Sequence, residues 1–359
     1  MRRVYWMFSV GCWMLDVFHF PFRPMNTEIL STHTPQLFAA AVKRAAELLR
    51  AGEVVALPTE TVYGLAANAL DENAVARIFQ IKGRPAHNPI IVHVAGNEMA
   101  RDCVAQWPEL AEKFSRSFWP GPLTLVLPRA EKIPDVVTAG GTTVGVRWPS
   151  HPFMQAVIRE CGFPLAAPSA NLSNQISPTN AEHVRSQLAG KIPLIVDGGQ
   201  SQVGIESTVL DVTVSPPRVL RPGMIHAESL AAVVGNIQHP TSNIQHPTLR
   251  SPGLLAKHYS PKAKLLVLNW QDDADLAAQL ATCHSSLVTC HIVAHTKIPA
   301  GFAAANVSVI PHDAEAFARA LYAELHRCDA AGAELIVVET PPELPEWTGI
   351  TDRLRRAAA

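Results

Sequence analysis

Lys82-Gly83-Arg84-Pro85-Ala86-His87-Asn88-Pro89-Ile90-Ile91-Val92-His93 puts a helix end, a stiff loop and a strand start in one short stretch. Upstream, Val75, Ile78 and Phe79 recur at helical spacing, and the pattern stops at Gly83. The apolar residues 90–94 then read as a strand. Pro85 and Pro89 hold φ at about −65° and stiffen the connection between the two. Lys82 offers a point charge and Arg84 a planar fork suited to phosphate or carboxylate oxygens. Taken alone, the stretch is equally a basic helix C-terminus complementing the macrodipole, followed by a solvated loop. Its neighbours decide between the two.

The same helix-to-strand alternation extends in both directions. Thr34-Pro35 pairs an N-cap hydroxyl with proline at the first helical position, and Leu37, Phe38, Ala41, Val42, Ala45, Leu48 and Leu49 give that helix its apolar face. Gly52 ends it. Residues 54–57 read as a buried strand, and Thr59-Glu60-Thr61-Val62-Tyr63-Gly64 as a polar loop at its carboxyl end, where open α/β sheets collect ligands. Asp71 caps the helix that leads to Lys82. Further helices are expected at 108–118 and 152–161, with a rigid Trp119-Pro120-Gly121-Pro122 turn between them. Thr179 and Glu182 are expected to form the capping box of the next helix. Strands are expected at 123–127, 144–147, 165–167, 194–196, 208–212 and 218–220. The pattern is α/β, with a twisted sheet of mixed direction.

At 359 residues, 48% hydrophobic and 17% charged, the chain has room for two globular domains. A net charge of −1 gives no global field to recruit nucleic acid, so any polyanion site is local. The six cysteines are scattered and form no CxxC pair, which argues against a cysteine zinc site and for a reducing cytoplasm. Residues 1–24 carry Arg2, Arg3 and an apolar run broken at Asp16. The run has no small-x-small cleavage site and is too interrupted for a membrane span. They are expected to be a dispensable extension before Met25, itself a candidate initiator.

Residues 30–225 form the expected first domain. Residues 226–262 are a linker in which Asn236-Ile237-Gln238-His239-Pro240-Thr241 recurs as Asn243-Ile244-Gln245-His246-Pro247-Thr248. Two copies are too few for a solenoid and fit an insert in a tolerant segment. Residues 251–261 are expected to close over the first domain as a lid, and a chain cut before Ser251 is expected to keep a folded first domain. Residues 263–359 are a second α/β region with strands at 265–268, 286–294 and 335–338 and a helix at 313–329. No cluster of convergent polar residues is read there.

Thr61, Lys82, Arg84, Asn88, His93, Thr143, Arg147, Ser169, Asn171, Ser177, Ser207 and Arg221 all fall at strand ends or in the loops after them. Together they would make a pocket with four fixed cations, several hydroxyls and almost no carboxylate. That suits a ligand with several anionic groups and poorly suits hydrolysis by paired carboxylates. Walker A, GxGxxG and nucleophile-elbow patterns are all missing, so a nucleotide would have to be held by another design.

Leu57-Pro58-Thr59-Glu60-Thr61-Val62-Tyr63-Gly64-Leu65, Lys82-Gly83-Arg84, Ser169-Ala170-Asn171, Gly204-Ile205-Glu206-Ser207-Thr208-Val209 and Leu220-Arg221-Pro222-Gly223 resemble, in order, the motifs of YrdC-like domains. Ser251-Pro252-Gly253, His258-Tyr259-Ser260-Pro261 and the ending Trp347-Thr348-Gly349-Ile350 through Asp352-Arg353-Leu354 resemble the linker and C-terminal domain of the long threonylcarbamoyl-AMP synthases. The resemblance implies a YrdC-like twisted open mixed sheet flanked by helices, plus a smaller Rossmann-like α/β domain. It implies an enzyme that joins L-threonine, bicarbonate and ATP into threonylcarbamoyl-AMP, releases pyrophosphate, and hands its product to a tRNA threonylcarbamoyl transferase. Thr61, His93, Arg147, Ser207 and the backbone of Ala167 would then hold threonine. Lys82, Arg84, Asn88, Thr143, Ser169, Asn171, Ser177, Arg221 and Tyr259 would hold ATP, with Lys82 and Arg84 catalytic. Mg²⁺ would ride on the phosphates, with no metal site on the chain, no membrane contact and at most a weak RNA contact. The alternative is a non-catalytic RNA- or nucleotide-binding module of the same fold. A carbamoyl-adenylate-forming hydrogenase maturation factor is disfavoured by the missing CxxC pairs.

Overall fold

A computed structural model of the chain describes residues 26–239, 258–283, 289–303 and 306–359. The N-terminal extension, the second NIQHPT copy and most of the expected lid, 251–257, lie outside them.

Thr34 opens α1 (Pro35–Arg50) as expected, its hydroxyl accepting from the Leu37 N–H. β1 (Glu28–Ser31), which the sequence did not suggest, lies before it. β2 (Val55–Leu57) is only three residues long, yet it is sandwiched between two cores. Val55 and Leu57 join Ala45 and Leu49 of α1, whereas Ala56 faces a second cluster with Leu65 and Val75. Both faces being apolar, the strand reads as a continuous run and not as an alternation.

After the 59–63 loop the chain returns at once as β3 (Gly64–Asn68), antiparallel to β2. This strand is not among those expected, because Gly64-Leu65-Ala66-Ala67-Asn68 lacks the β-branched residues that mark strands. α2 (Glu72–Lys82) is capped by Asp71 and ended by Gly83 at φ +60°, with the Arg84 N–H donating back to Phe79 O at 3.0 Å. β4 is shorter than expected, Val92–His93, because Ile90 N–H goes to Val137 O and Ile91 O accepts from Ala167, outside a regular ladder.

Then follow α3 (Asn97–Asp102), α4 (Glu109–Phe118), β5 (Leu123–Pro128), α5 (Asp135–Thr138), β6 (Thr143–Arg147), α6 (Pro152–Cys161) and β7 (Leu165–Ala166). α7 (Ala181–Leu188) is capped by Asn180, whose side chain accepts from the His183 N–H. The expected Thr179–Glu182 box is therefore wrong. Asn180 lies one residue nearer the helix, and Glu182 pairs with Arg185 instead. β8 (Leu194–Asp197), β9 (Thr208–Asp211), β10 (Arg218–Arg221) and α8 (Ala227–Val234) complete the domain. Its sheet has ten strands in the order β1-β8-β2-β3-β7-β4-β6-β5-β9-β10, with parallel and antiparallel neighbours mixed.

The second domain adds β11 (Lys264–Leu268), α9 (Asp273–Cys283), β12 (Cys290–Ala294), β13 (Val307–Val309), α10 (Ala314–Ala330), β14 (Leu335–Glu339) and α11 (Thr348–Ala357). Its sheet runs β11-β14-β12-β13 and every pair is parallel. The two domains share an apolar cluster: Val62, Ile176 and Ile205 of the first pack with Phe317, Leu321 and Trp347 of the second.

Candidate active site

The cleft forms where several strand ends meet. β4 and β6 are parallel neighbours with His93 and Arg147 paired, so their final residues arrive side by side. The 59–63 loop covers them from one side. Thr59 shapes that loop as a hydroxyl turn, accepting from the Thr61 and Val62 N–H groups and donating to Val62 O at 2.6 Å. Arg147 Nη1 donates to Thr61 Oγ1 at 2.9 Å, Nη2 to Glu60 Oε1 at 2.6 Å and Nε to Gly121 O at 3.3 Å. Burial pushes the Glu60 carboxyl up, but the charge and hydrogen bond of Arg147 overcome this and hold it below the usual carboxylate range. His93 is driven down to about 3 by burial and then by Arg147, so it is a neutral imidazole.

Across the cleft, β9 and β10 are antiparallel, which sets Arg221 beside Ser207. Arg221 Nη2 donates to Ser207 O at 2.9 Å and to Ser207 Oγ at 3.1 Å, and Thr124 Oγ1 lies 2.9 Å from the same hydroxyl. Arg84 is fastened by its own loop, donating from Nε to Asn88 O at 3.0 Å and from Nη2 to Pro89 O at 2.6 Å. Burial lowers its guanidinium to about 9. The cleft holds about 540 Å³ of empty space, open side included.

Of the residues expected to bind, Thr61, Arg84, His93, Arg147, Ala167, Ser169, Ser207, Arg221 and Tyr259 all line this space. Lys82 does not: its ammonium donates to Ser169 O at 2.5 Å and to Asn171 O, tying the end of α2 to the 169–171 loop. Burial, then Arg84, takes it well below the ordinary lysine range. Asn171 Nδ2 spans to Leu172 O and Gln175 O, both at 2.8 Å, and Ser177 donates to Glu206 Oε1 at 2.5 Å. Asn88 is buried; its carbonyl accepts from Arg84, and its side-chain amide makes no hydrogen bond among the described residues. Thr143 begins β6, at the opposite end of that strand from Arg147, and is not among the lining residues.

The cleft lining carries one carboxylate, Glu206, and Glu60 is buried behind it against the lining residue Arg147; each is engaged by an arginine. Both lie inside motifs quoted above; their buried pairing partners are far away in sequence, which is why charge counting missed them. The expectation of no convergent polar residues in the second domain fails, because Tyr322 and Arg353 reach Glu206 from there.

Residues 47–223 match the family described as Telomere recombination, and residues 225–359 match the Threonylcarbamoyl-AMP synthase, C-terminal domain. The chain is 41% identical to the threonylcarbamoyl-AMP synthase of Pyrococcus abyssi, over 88% of this chain and 94% of that one. It is also 41% identical to that of Bacillus subtilis, over 96% and 97%. The chain belongs to the threonylcarbamoyl-AMP synthase family. The crystal structure of P. abyssi Sua5 complexed with L-threonine superposes with a TM-score of 0.85 at 38% identity, covering 93% of this chain and 98% of that one. The synthesis of threonylcarbamoyl-AMP expected from the motifs is the activity of the family, and the alternative of a non-catalytic binding module falls. The expected two-domain α/β architecture stands as well. No helix among the described residues is long and apolar enough to cross a membrane.

Proposed function

We propose that the cleft condenses L-threonine, bicarbonate and ATP into threonylcarbamoyl-AMP with release of pyrophosphate. The observation that carries this reading is one cavity lined by Arg147 and Thr61, hydrogen-bonded to each other and backed by Glu60, together with Arg84, Ser169 and Arg221. The first group suits an amino acid, and the second suits phosphates.

Threonine is held by Thr61, His93, Arg147, Ser207 and the Ala167 backbone. ATP is held by Arg84, Ser169, Arg221 and Tyr259, with Lys82, Asn88, Asn171 and Ser177 shaping the loops behind them. The amine of threonine adds to the carbon of CO₂ derived from bicarbonate, and loss of a proton leaves a carbamate. A carbamate oxygen then forms a bond to the α-phosphorus as the bond to the pyrophosphate oxygen breaks. Both reactants are anions, so fixed cations lower the barrier by holding them together and stabilising charge that grows on the phosphate. Neutral His93 adds a polar contact without a competing charge. Glu60 and Glu206 are occupied by arginines, which supports Mg²⁺ arriving on the ATP phosphates instead of on a site of the chain. The product passes to a tRNA threonylcarbamoyl transferase in the cytoplasm.

Mass spectrometry of products from ATP, threonine and ¹³C-bicarbonate tests this. Threonylcarbamoyl-AMP carrying the label is expected, with pyrophosphate released only when all three substrates are present. Pyrophosphate release independent of threonine would overturn it.

A further inference from the structure

Glu206 is almost completely buried at the cleft wall, and its two carboxylate oxygens are shared between domains. Ser177 of the first domain donates to Oε1 at 2.5 Å. From the second domain, Arg353 Nε donates to Oε2 at 2.7 Å and Tyr322 OH to the same oxygen at 3.1 Å. Arg353 also reaches Pro222 O through Nη1 at 2.9 Å and Glu206 O through Nη2 at 3.2 Å. Its guanidinium carbon then sits 5.3 Å from the centroid of the Tyr259 ring, in cation–π range. Arg353 is completely buried, although it belongs to α11 and not to the domain that owns the cleft.

Tyr259 needs such support. It takes φ +62°, a left-handed conformation unfavourable to a bulky residue, and the short chain around it is tied to both domains. His258 N–H donates to Arg356 O at 3.1 Å and Ser260 N–H to Asn174 O at 2.9 Å. Tyr322 stands beside it as well, ring centroids 5.9 Å apart. α11 comes close enough for these contacts because its Gly349 faces the backbone of Gly223, in the loop after β10, where a Cβ would meet it at 2.9 Å.

We propose that Arg353 and Tyr322 are positioning residues for the first domain's cleft: by fixing the Glu206 carboxylate and the Tyr259 ring, they set the ATP-facing wall. The second domain is in this sense part of the active site. The inference rests on the assignment of that wall to ATP.

Arg353→Ala, Arg353→Lys, Tyr322→Phe and Arg319→Ala in the full-length chain test it. Affinity for α,β-methylene-ATP is read by calorimetry, and KM for ATP and threonine from pyrophosphate release. Arg353→Ala should weaken analogue binding and raise the ATP KM by roughly ten-fold or more, the scale of a lost charge-assisted hydrogen bond. The threonine KM should move far less, because Arg147, Thr61 and Glu60 make none of these contacts. Arg353→Lys keeps the charge but loses the fork and should fall between. Tyr322→Phe should give a smaller loss in the same direction and keeps the measurement decisive if Arg353→Ala does not fold. Arg319→Ala removes an interdomain hydrogen bond to Gln202 O (2.8 Å) that does not touch Glu206, and should leave ATP affinity unchanged. Wild-type affinity in both Arg353→Lys and Tyr322→Phe overturns the proposal, as does an equal loss in Arg319→Ala, which would reduce the effect to docking alone. If the wild-type chain binds the analogue but makes no threonylcarbamoyl-AMP, the functional reading fails while the affinity comparison still decides this one.

Discussion

His326 of α10 stacks on His183 of α7 across the domain boundary, with ring centroids 3.9 Å apart and planes inclined by 20°. Thr179 lies 3.3 Å from His183 Nδ1, and His326 Nε2 is 3.2 Å from Ser177 O. The nearby carboxylates Glu182 and Asp329 oppose burial without overcoming it. Burial, then His326, lowers His183 from its ordinary 6.5 to about 3, and burial lowers His326.

Both imidazoles are therefore neutral in the folded chain at neutral pH. Because their folded values lie below the unfolded one, the unfolded chain binds more protons between pH 6.5 and about 3. Stability is full above 6.5 and falls as pH drops through that window. Thermal melting between pH 7.5 and 5 should show this decline, and His326→Gln should flatten it. An unchanged pH slope in His326→Gln would remove the pair from the account.

Arg84→Ala should cost roughly 2–4 kcal/mol of transition-state stabilisation, the range for one preorganised donor. It should also loosen the 84–89 loop, since two carbonyls lose their donor. Steady-state kinetics on a variant shown to be folded by circular dichroism measures the first effect. Near-normal turnover would remove Arg84 from the phosphate contacts.

Arg147→Lys should raise the threonine KM well above any change in the ATP KM. Lysine keeps the charge but cannot bridge Thr61, Glu60 and Gly121 together. Substrate-saturation curves for each reactant separate the two. Equal shifts would move Arg147 to the phosphate side.

Glu60→Ala leaves the buried Arg147 charge without its carboxylate and should destabilise the fold by about 3–5 kcal/mol. Urea denaturation of the variant against wild type reads this directly. A change below about 1 kcal/mol would match an exposed pair and contradict the burial of this one.

Gly204→Ala should disturb the domain contact more than the first domain itself. Gly204 takes φ +85°, and an added Cβ there would run into the Ala318 backbone carbonyl, which has no flexible side chain to yield. Faster cleavage between the two domains than in wild type is expected under limited proteolysis. Wild-type resistance would show that α10 can retreat.

Much of the fold was legible because helix boundaries are written locally. Asp71, Gly83 and Gly162 announce caps that need only their own neighbours. β1, β3 and β13 were not legible, because short strands take their identity from partners: β1 exists by pairing with β8, far away in sequence. In the site, residues with side chains at strand ends could be singled out by position and motif. What stayed hidden was division of labour. Lys82 looks like a phosphate ligand in sequence, yet its ammonium spends its hydrogen bonds on the carbonyls of Ser169 and Asn171. Glu206 and Arg353 are separated by most of the second domain, and no local pattern states that they meet.

The apolar cluster that mixes Val62, Ile176 and Ile205 with Phe317, Leu321 and Trp347 has a thermodynamic consequence for the whole chain. A chain cut before Ser251 does not merely lose a neighbour; it turns part of its own interior into wetted surface. Heat absorbed on melting should then appear as a single calorimetric peak, with van't Hoff and calorimetric enthalpies in agreement, although the polypeptide carries two separate sheets.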